Sequence, residues 1–251
     1  MRVVTADQHG ADWLIARAGH STASRMNDVM AKPDSQAYQK YRTKLITERL
    51  SGRSVEQYVS PHMDFGIQTE PVARTEYEIV SGNNVNRTGF VLHPTFDFSG
   101  ASPDGLVDAN GCIEIKVPCT HNHIGWMEQW KKQGTAPTEH IRQCQWVINC
   151  CEREWCDFIS FNAESDEVPN HFALDDKLNL FTVRVYRDDK AIAAMEERAR
   201  LLNQEIEDII GVFYEKPGAL KEKLRKSVAV DEELAADIEW WRQKHGMADA
   251  L

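Results

Sequence analysis

The stretch GASPDGLVDANGCIEIKVP, residues 100–118, constrains the fold of this chain more than any other segment. Two short β-like runs, SPDGLVD and CIEIKVP, flank the dipeptide Asn110-Gly111. Asn-Gly between two such runs is the strongest short-range signal for a β-hairpin. The sequence therefore predicts a hairpin that turns at Asn110-Gly111.

The charges of this hairpin fall into a pattern. Successive side chains of a strand point to opposite faces, so Glu114 and Lys116 share one face of CIEIKVP and its branched apolar residues share the other. We expect the apolar face to pack in the core and the charged face to open to a cleft. Asp104, on the partner run, can approach the same cleft.

Two carboxylates beside a lysine can do hydrolytic chemistry. Carboxylate oxygens are the ligands that Mg²⁺ and Mn²⁺ prefer, and such an ion can polarise a phosphodiester and activate a water. A lysine there can orient the nucleophile or stabilise charge on the phosphate. The spacing alone leaves a second interpretation open, a surface strand with a Glu/Lys pair on its wet side.

The rest of the chain predicts an α/β domain with a central mixed sheet flanked by helices. We expect helices over 12–31 (interrupted at GHSTAS), 35–51, 64–80 (with Pro71 kinking it or removing one backbone bond), 138–151 and 189–214. Strands are predicted within 88–94, 99–108, 112–118, 155–163 and 180–188. Residues 1–215 are expected to form a single domain. Residues 216–251 are expected to be a charged, helical extension that contains Trp240-Trp241.

Composition limits the function classes. A net charge of −10 argues against a protein that holds nucleic acid by bulk electrostatics, although basic groups can still concentrate locally. The six cysteines lie between Cys112 and Cys156 without CxxC spacing, so reduced, buried thiols are expected rather than a zinc ribbon. No apolar run has the length of a membrane span and the first residues lack a signal-peptide layout, so a cytoplasmic protein is expected.

The Pro-Asp…Glu-x-Lys arrangement on a hairpin resembles the core of the PD-(D/E)XK nucleases, and further segments resemble their bacteriophage lambda exonuclease branch, the YqaJ-type viral recombinases. Trp13 with ARAGHSTAS, then MAKP, FGIQTEPVA, SPDGL, EIKVP and RQCQWVIN follow in the order that this family shows, over residues 13–149. The resemblance implies a metal-dependent 5′→3′ exonuclease that degrades one strand of duplex DNA from its ends. It also implies Mg²⁺ (or Mn²⁺), with two ions, a homotrimeric ring around the DNA, and a single-strand annealing protein as recombination partner.

The resemblance also implies roles for single residues. Asp104, Glu114, the carbonyl of Ile115 and Glu70 would hold metal, and Lys116 would be the catalytic lysine. Gln143 and Gln145 match the family's Q-x-Q helix, and Gln145 is predicted to face the site.

Arg17, Ser24 and Ser102 match the family's pocket for the 5′-terminal phosphate. Elementary chemistry supports this match, because a guanidinium binds phosphate in a bidentate manner and a helix beginning after GHSTAS would offer free amides. Among residues outside these matches, His121 and His123 could bind zinc from one strand face, but no third ligand is apparent, so they are interpreted as residues that contact DNA or line the rim of the site. Lys131 and Lys132 are either backbone contacts to DNA or a solvated pair.

Two alternatives stay open. Another PD-(D/E)XK nuclease, of different polarity or of the iron–sulfur type, shares the core, but no cysteine precedes residue 112 to serve as the upstream cluster ligand. A non-catalytic DNA-end-binding recombination scaffold would need no complete site, whereas here Asp104, Glu114 and Lys116 are all present.

Overall fold

The computed structural model describes residues 1–4, 8, 10–55 and 59–214. The helices are α1 (Ala11–Arg17), α2 (Met26–Val29), α3 (Gln36–Ser51), α4 (Pro61–Ser81), α5 (Thr120–Gln133), α6 (Thr138–Cys150) and α7 (Asp189–Tyr214). The strands are β1 (Arg2–Val3), β2 (Ser21–Thr22), β3 (Val85–Asn86), β4 (Val91–Leu92), β5 (Ser99–Ala101), β6 (Gly105–Val107), β7 (Gly111–Lys116), β8 (Trp155–Phe161) and β9 (Leu180–Tyr186). Residues Met1–Ile206 form one compact unit.

The strands form two mixed sheets where a single central sheet was expected. A four-stranded sheet has the order β1-β4-β5-β2, with β2 parallel to β5, and a five-stranded sheet has the order β3-β6-β7-β8-β9, with β7 parallel to β8. The predicted run 99–108 is divided between them, because the chain leaves β5 and enters β6 through Ser102-Pro103-Asp104. This crossing places Asp104 at the start of β6, beside the middle strand of the larger sheet.

One face of the five-stranded sheet packs against α4. Ile113 and Ile115 of β7 join Ala73 and Tyr77 of α4 in a buried apolar cluster. Tyr77 also donates a 2.8 Å hydrogen bond to the buried Asp157 of β8. The predicted apolar face of CIEIKVP is therefore confirmed, and it fixes α4 over the middle of the sheet.

The opposite face of β7, which carries Glu114 and Lys116, was expected to open to a cleft. Helix α6 contacts this face instead, and Glu114 is 1% exposed. A strand between two neighbours and two helix layers has no wet side, so the interpretation as a surface Glu/Lys pair is wrong. Lys116, the last residue of β7, keeps 28% of its side chain exposed.

The predicted hairpin exists, but its turn lies elsewhere. Val107 pairs with Gly111, so the loop is Asp108-Ala109-Asn110, and Asp108 rather than the glycine adopts a positive φ of 45°. Gly111 begins β7, where a Cβ atom would lie 2.2 Å from the Trp155 ring. The glycine is thus needed for close packing by a neighbouring strand and not for the turn.

The long helices agree with the sequence predictions, and α4 continues through Pro71. The first predicted helix is shorter than expected, because Ser21-Thr22 pairs with β5 and a 3₁₀ turn at Ala23–Arg25 follows it. Helix α5 was missed altogether. The predicted extension 216–251, with Trp240-Trp241, lies outside the described residues. Among the residues that the structure does describe, no helix combines the length and apolarity that a membrane span requires.

Candidate active site

Asp104, Glu114 and Lys116 come together at the end of β7. One carboxylate oxygen of Asp104 accepts a 2.6 Å hydrogen bond from the backbone N–H of Ile115. The Lys116 ammonium donates to Oε1 of Glu114. The hairpin thus holds both acids and the lysine as the sequence predicted. The role of the Ile115 carbonyl as a metal ligand stays a prediction.

Glu70 reaches the same site from α4. Its carboxylate accepts a hydrogen bond from Arg74, one helical turn later, and Arg74 Nε donates to the Asp104 carbonyl at 3.1 Å. Pro71 follows Glu70 directly, and α4 nevertheless runs without a break from Pro61 to Ser81. Proline costs a helix one amide donor, and here the packing of α4 on the sheet keeps the helix continuous.

The acids of the site repel one another. Burial, together with the nearby Asp104 carboxylate, raises the pKa of Glu114 to about 8 and that of Glu70 to about 7. Burial alone would lower the pKa of Lys116, but Glu114 and Asp104 raise it above its ordinary value. When all three acids are ionised, they outnumber the two cations of the site, Lys116 and Arg74, and this excess favours an added cation.

The chemistry of the donor set fits a hard divalent cation. Glu114 Oε1 accepts from both Lys116 and Gln143, whereas Oε2 is buried and has no hydrogen-bonding partner. A buried carboxylate oxygen without a partner is costly, and a bound cation would satisfy it. Within the described ranges, no three His, Cys, Asp or Glu side chains are already grouped closely enough to enclose an ion. The coordination shell of a bound metal would thus be completed by backbone oxygen, water or substrate, as is common for hard cations.

Gln143, not Gln145, faces the site. Gln143 donates to Glu114, whereas Gln145 is bonded to the backbone of Tyr186 and Asp188. Residues two apart on a helix point about 200° from each other, so only one glutamine of Q-x-Q can reach β7. The prediction for Gln145 is wrong, and its side chain instead joins α6 to the connection between β9 and α7.

Arg17 and Ser24, two of the three predicted phosphate-binding residues, line a cavity of about 590 Å³. Lys44 adds a further cation to its wall, while Leu14 and Met63 contribute apolar surface. The helix expected after GHSTAS begins as a 3₁₀ turn at Ala23, with no side-chain cap. A short 3₁₀ turn therefore stands where the N-terminus of an α-helix was expected to offer its free amides to a phosphate.

Ser102, the third predicted residue, is linked to this cavity through Trp13. The indole Nε1 of Trp13 donates to Ser102 Oγ at 2.9 Å, and the Arg17 guanidinium stacks 4.0 Å from the indole centroid. Since Ser102 lies two residues before Asp104, Trp13 connects the cavity to the acidic site. Sequence matching identified Trp13 but gave it no role.

The histidines after the hairpin do not share a strand face. Both belong to α5, and His123 is fully buried between Ser160 and the Leu178 carbonyl, so a DNA-contacting role for His123 is wrong. His121 is exposed. Lys131 and Lys132 are exposed in the last turn of α5, where Lys132 lies 3.5 Å from Glu128, and their contact with DNA stays a prediction.

Arg74 is the site residue that sequence reasoning missed. Its signal was available, because Glu70 and Arg74 are spaced i, i+4 on a predicted helix and such pairs face each other. The bond to the Asp104 carbonyl could not be predicted, because it depends on how α4 packs on the sheet.

Known proteins resemble this chain over most of its length. The family model for the YqaJ-like viral recombinase domain matches residues 12–154. An alkaline exonuclease from Laribacter hongkongensis, LHK-Exo, is 36% identical to this chain with a TM-score of 0.69, and the match covers 87% of this chain and all of that one. The same enzyme in complex with dAMP gives the same values.

A phage-related exonuclease from Haemophilus somnus 129PT shares the fold, at 16% identity and a TM-score of 0.59 over 76% of this chain and 95% of that one. None of the curated proteins searched matches this chain. The expected α/β fold of the PD-(D/E)XK type is confirmed. The family model spans the candidate acids, Lys116, and the cavity residues Arg17 and Ser24. The chain belongs to the YqaJ-like viral recombinase domain family.

Proposed function

We propose that this protein is a metal-dependent 5′→3′ exonuclease that degrades one strand of linear duplex DNA from 5′-phosphorylated ends. The family and the alkaline exonuclease LHK-Exo support a DNA exonuclease. The observation that carries the proposal is the buried Glu114 carboxylate, whose Oε1 is held by Lys116 and Gln143 while Oε2 has no partner.

We propose that the site binds two divalent cations, Mg²⁺ or Mn²⁺. Their ligands would be Asp104, Glu114, Glu70 and the Ile115 carbonyl. When bound, such a cation supplies Lewis-acid activation of the phosphodiester and of a water. The chain's own residues hold and orient the carboxylates that would bind the cation. The Ile115 amide fixes the Asp104 carboxylate, and Gln143 fixes that of Glu114.

We propose that Lys116 stabilises charge in the transition state. Its ammonium donates to the Glu114 carboxylate, and Glu114 and Asp104 raise its pKa above the ordinary value. A protonated lysine can orient the attacking water or stabilise negative charge on the phosphate.

The cavity with Arg17 and Ser24 is proposed to bind the 5′-terminal phosphate, with Ser102 joined to it through Trp13. Anchoring the 5′ end there, next to the acids, would give the 5′→3′ direction. We further propose a homotrimeric ring that encircles the DNA and acts with a single-strand annealing protein. A ring is retained by topology, so the net charge of −10 is compatible with it.

The test is digestion of linear duplex DNA with 5′-phosphate or 5′-hydroxyl ends, in Mg²⁺ or in EDTA. We expect Mg²⁺-dependent digestion that favours 5′-phosphate ends and is abolished in Lys116→Ala and Asp104→Ala. Arg17→Ala should retain cleavage but lose the end preference. Full activity in either of the first two variants would refute the site, and end binding without digestion by the wild type would indicate a non-catalytic scaffold.

A further inference from the structure

We infer that Arg74 is a positioning residue, which holds the Glu70 carboxylate against the backbone of Asp104 and thereby shapes the cation site. The inference rests on the proposed function. It adds a cationic side chain to a site whose other members are acids, an amide and the lysine of the hairpin.

Arg74 joins two separate segments of the site. One nitrogen, Nη2, donates to the Glu70 carboxylate within α4, and Nε donates to the Asp104 carbonyl at 3.1 Å, at the start of β6. The side chain of one residue thus fixes both a carboxylate on the helix and the main chain of an acid on the hairpin. These two acids otherwise come from segments that are 34 positions apart, and mutual repulsion would separate them.

The burial and charge of Arg74 support a role in the site. Arg74 is 9% exposed, and the described structure gives it hydrogen bonds only within the acidic site. The nearby acids lower the cost of burying the Arg74 guanidinium. A carboxylate that a hydrogen bond holds in place is oriented to bind a divalent cation.

Arginine suits this position because its planar fork donates in two directions at once. A lysine could retain the charge but, as a point donor, could not reproduce the spacing of both bonds. The substitution Arg74→Lys therefore separates charge from geometry.

Arg184 offers a matched control. It also binds a buried carboxylate, donating two 2.8 Å hydrogen bonds to Asp157, which Tyr77 of α4 contacts as well. This network joins α4 to the sheet without touching the acids of the site. Loss of Arg184 should therefore lower stability and leave cation binding unchanged.

The experiment is calorimetric titration of metal-free protein with Mn²⁺, for the wild type, Arg74→Gln, Arg74→Lys and Arg184→Gln, with melting curves to verify that each is folded. Partners of metal ligands typically contribute about 10–100-fold to affinity, so Arg74→Gln should weaken Mn²⁺ binding by about that factor and Arg74→Lys by less. Arg184→Gln should melt lower and bind Mn²⁺ as the wild type does. If Arg74→Gln is unfolded, the Arg74→Lys titration decides.

A second measurement tests the route through Glu70. If Arg74 acts by holding Glu70, the double variant Arg74→Gln/Glu70→Gln should bind Mn²⁺ about as weakly as the weaker single variant, whereas independent effects would add. Additive losses, or Mn²⁺ affinity in Arg74→Gln within twofold of the wild type, would overturn the inference. Failure of the proposed function looks different, since the wild type itself would then neither bind Mn²⁺ nor digest DNA.

Discussion

At the scale of single residues, the buried Glu114 gives a prediction about how the stability of this protein depends on pH. An ordinary glutamate ionises near pH 4.5, whereas burial beside Asp104 raises the pKa of Glu114 to about 8. Between these two values the folded protein keeps a proton that the unfolded chain has lost. The free energy of unfolding of the metal-free protein must then fall as pH rises through this window.

We therefore expect the melting temperature of metal-free protein to decrease between about pH 5 and pH 8, with Mg²⁺ restoring it most at the alkaline end, where the carboxylates are ionised. Differential scanning calorimetry in EDTA and in Mg²⁺ measures both effects. Glu114→Gln serves as the control, because glutamine cannot ionise and the profile should become shallower, with Glu70 supplying the slope that remains. Parallel profiles for the wild type and Glu114→Gln would show that Glu114 titrates normally.

The two glutamines of α6 give a second prediction at this scale. Gln143→Ala removes a donor to Glu114, and we expect the rate of DNA digestion to fall by about tenfold or more, as for other partners of metal ligands. Gln145→Ala removes two bonds to backbone and should lower the melting temperature while the activity of the folded enzyme stays near that of the wild type. Both rates are measured at saturating Mg²⁺. A lower rate for Gln145→Ala than for Gln143→Ala would indicate that Gln145, rather than Gln143, acts in the site.

At the scale of elements, β7 and β8 pack so closely that Gly111 has no room for a side chain. The Trp155 ring occupies the space that a Cβ atom would need. Overpacking of this kind typically costs about 1–3 kcal/mol, and we expect Gly111→Ala to lower the free energy of unfolding by that amount.

Gly125→Ala provides the comparison for Gly111→Ala. Gly125 lies inside α5 with open space around its Cα, so alanine should stabilise the helix by about 0.5–1 kcal/mol. Urea denaturation of both variants measures the change in the free energy of unfolding, which should be negative for Gly111→Ala and positive for Gly125→Ala. If Gly111→Ala were as stable as the wild type, Trp155 would have to move without cost, and the packing described for this strand pair would be wrong.

At the scale of the whole molecule, the proposed ring predicts a particular dependence on salt. Because topology rather than charge would keep a ring on DNA, raised salt should slow loading more than it shortens each processive run. Single-turnover digestion at increasing NaCl measures both, and light scattering should give three times the 28.6 kDa chain mass. An equally steep loss in loading and processivity, or a monomer mass, would contradict the ring.

Several features could be predicted from local patterns alone. Period-two alternation placed Ile113 and Ile115 in the core, and apolar spacing of three and four residues predicted the long helix α7 with its start at residue 189. Helix α5 was not predicted, because its first turn carries no strong helix formers and its N-cap residue, Cys119, makes no capping bond. That turn is Thr120-His121-Asn122-His123. Tertiary contacts such as His123 with Ser160 stabilise it instead.

The sequence by itself determined the hairpin, its two acids and lysine, and the family, because these depend on neighbours a few residues apart and on segments in a fixed order. The tertiary structure alone decided that Glu114 is buried, that Gln143 rather than Gln145 reaches it, and that Arg74 joins Glu70 to Asp104. Those features depend on which helix packs on which face of the sheet and at what rotation. Local periodicity fixes the spacing of side chains, whereas packing between distant segments fixes which of them meet.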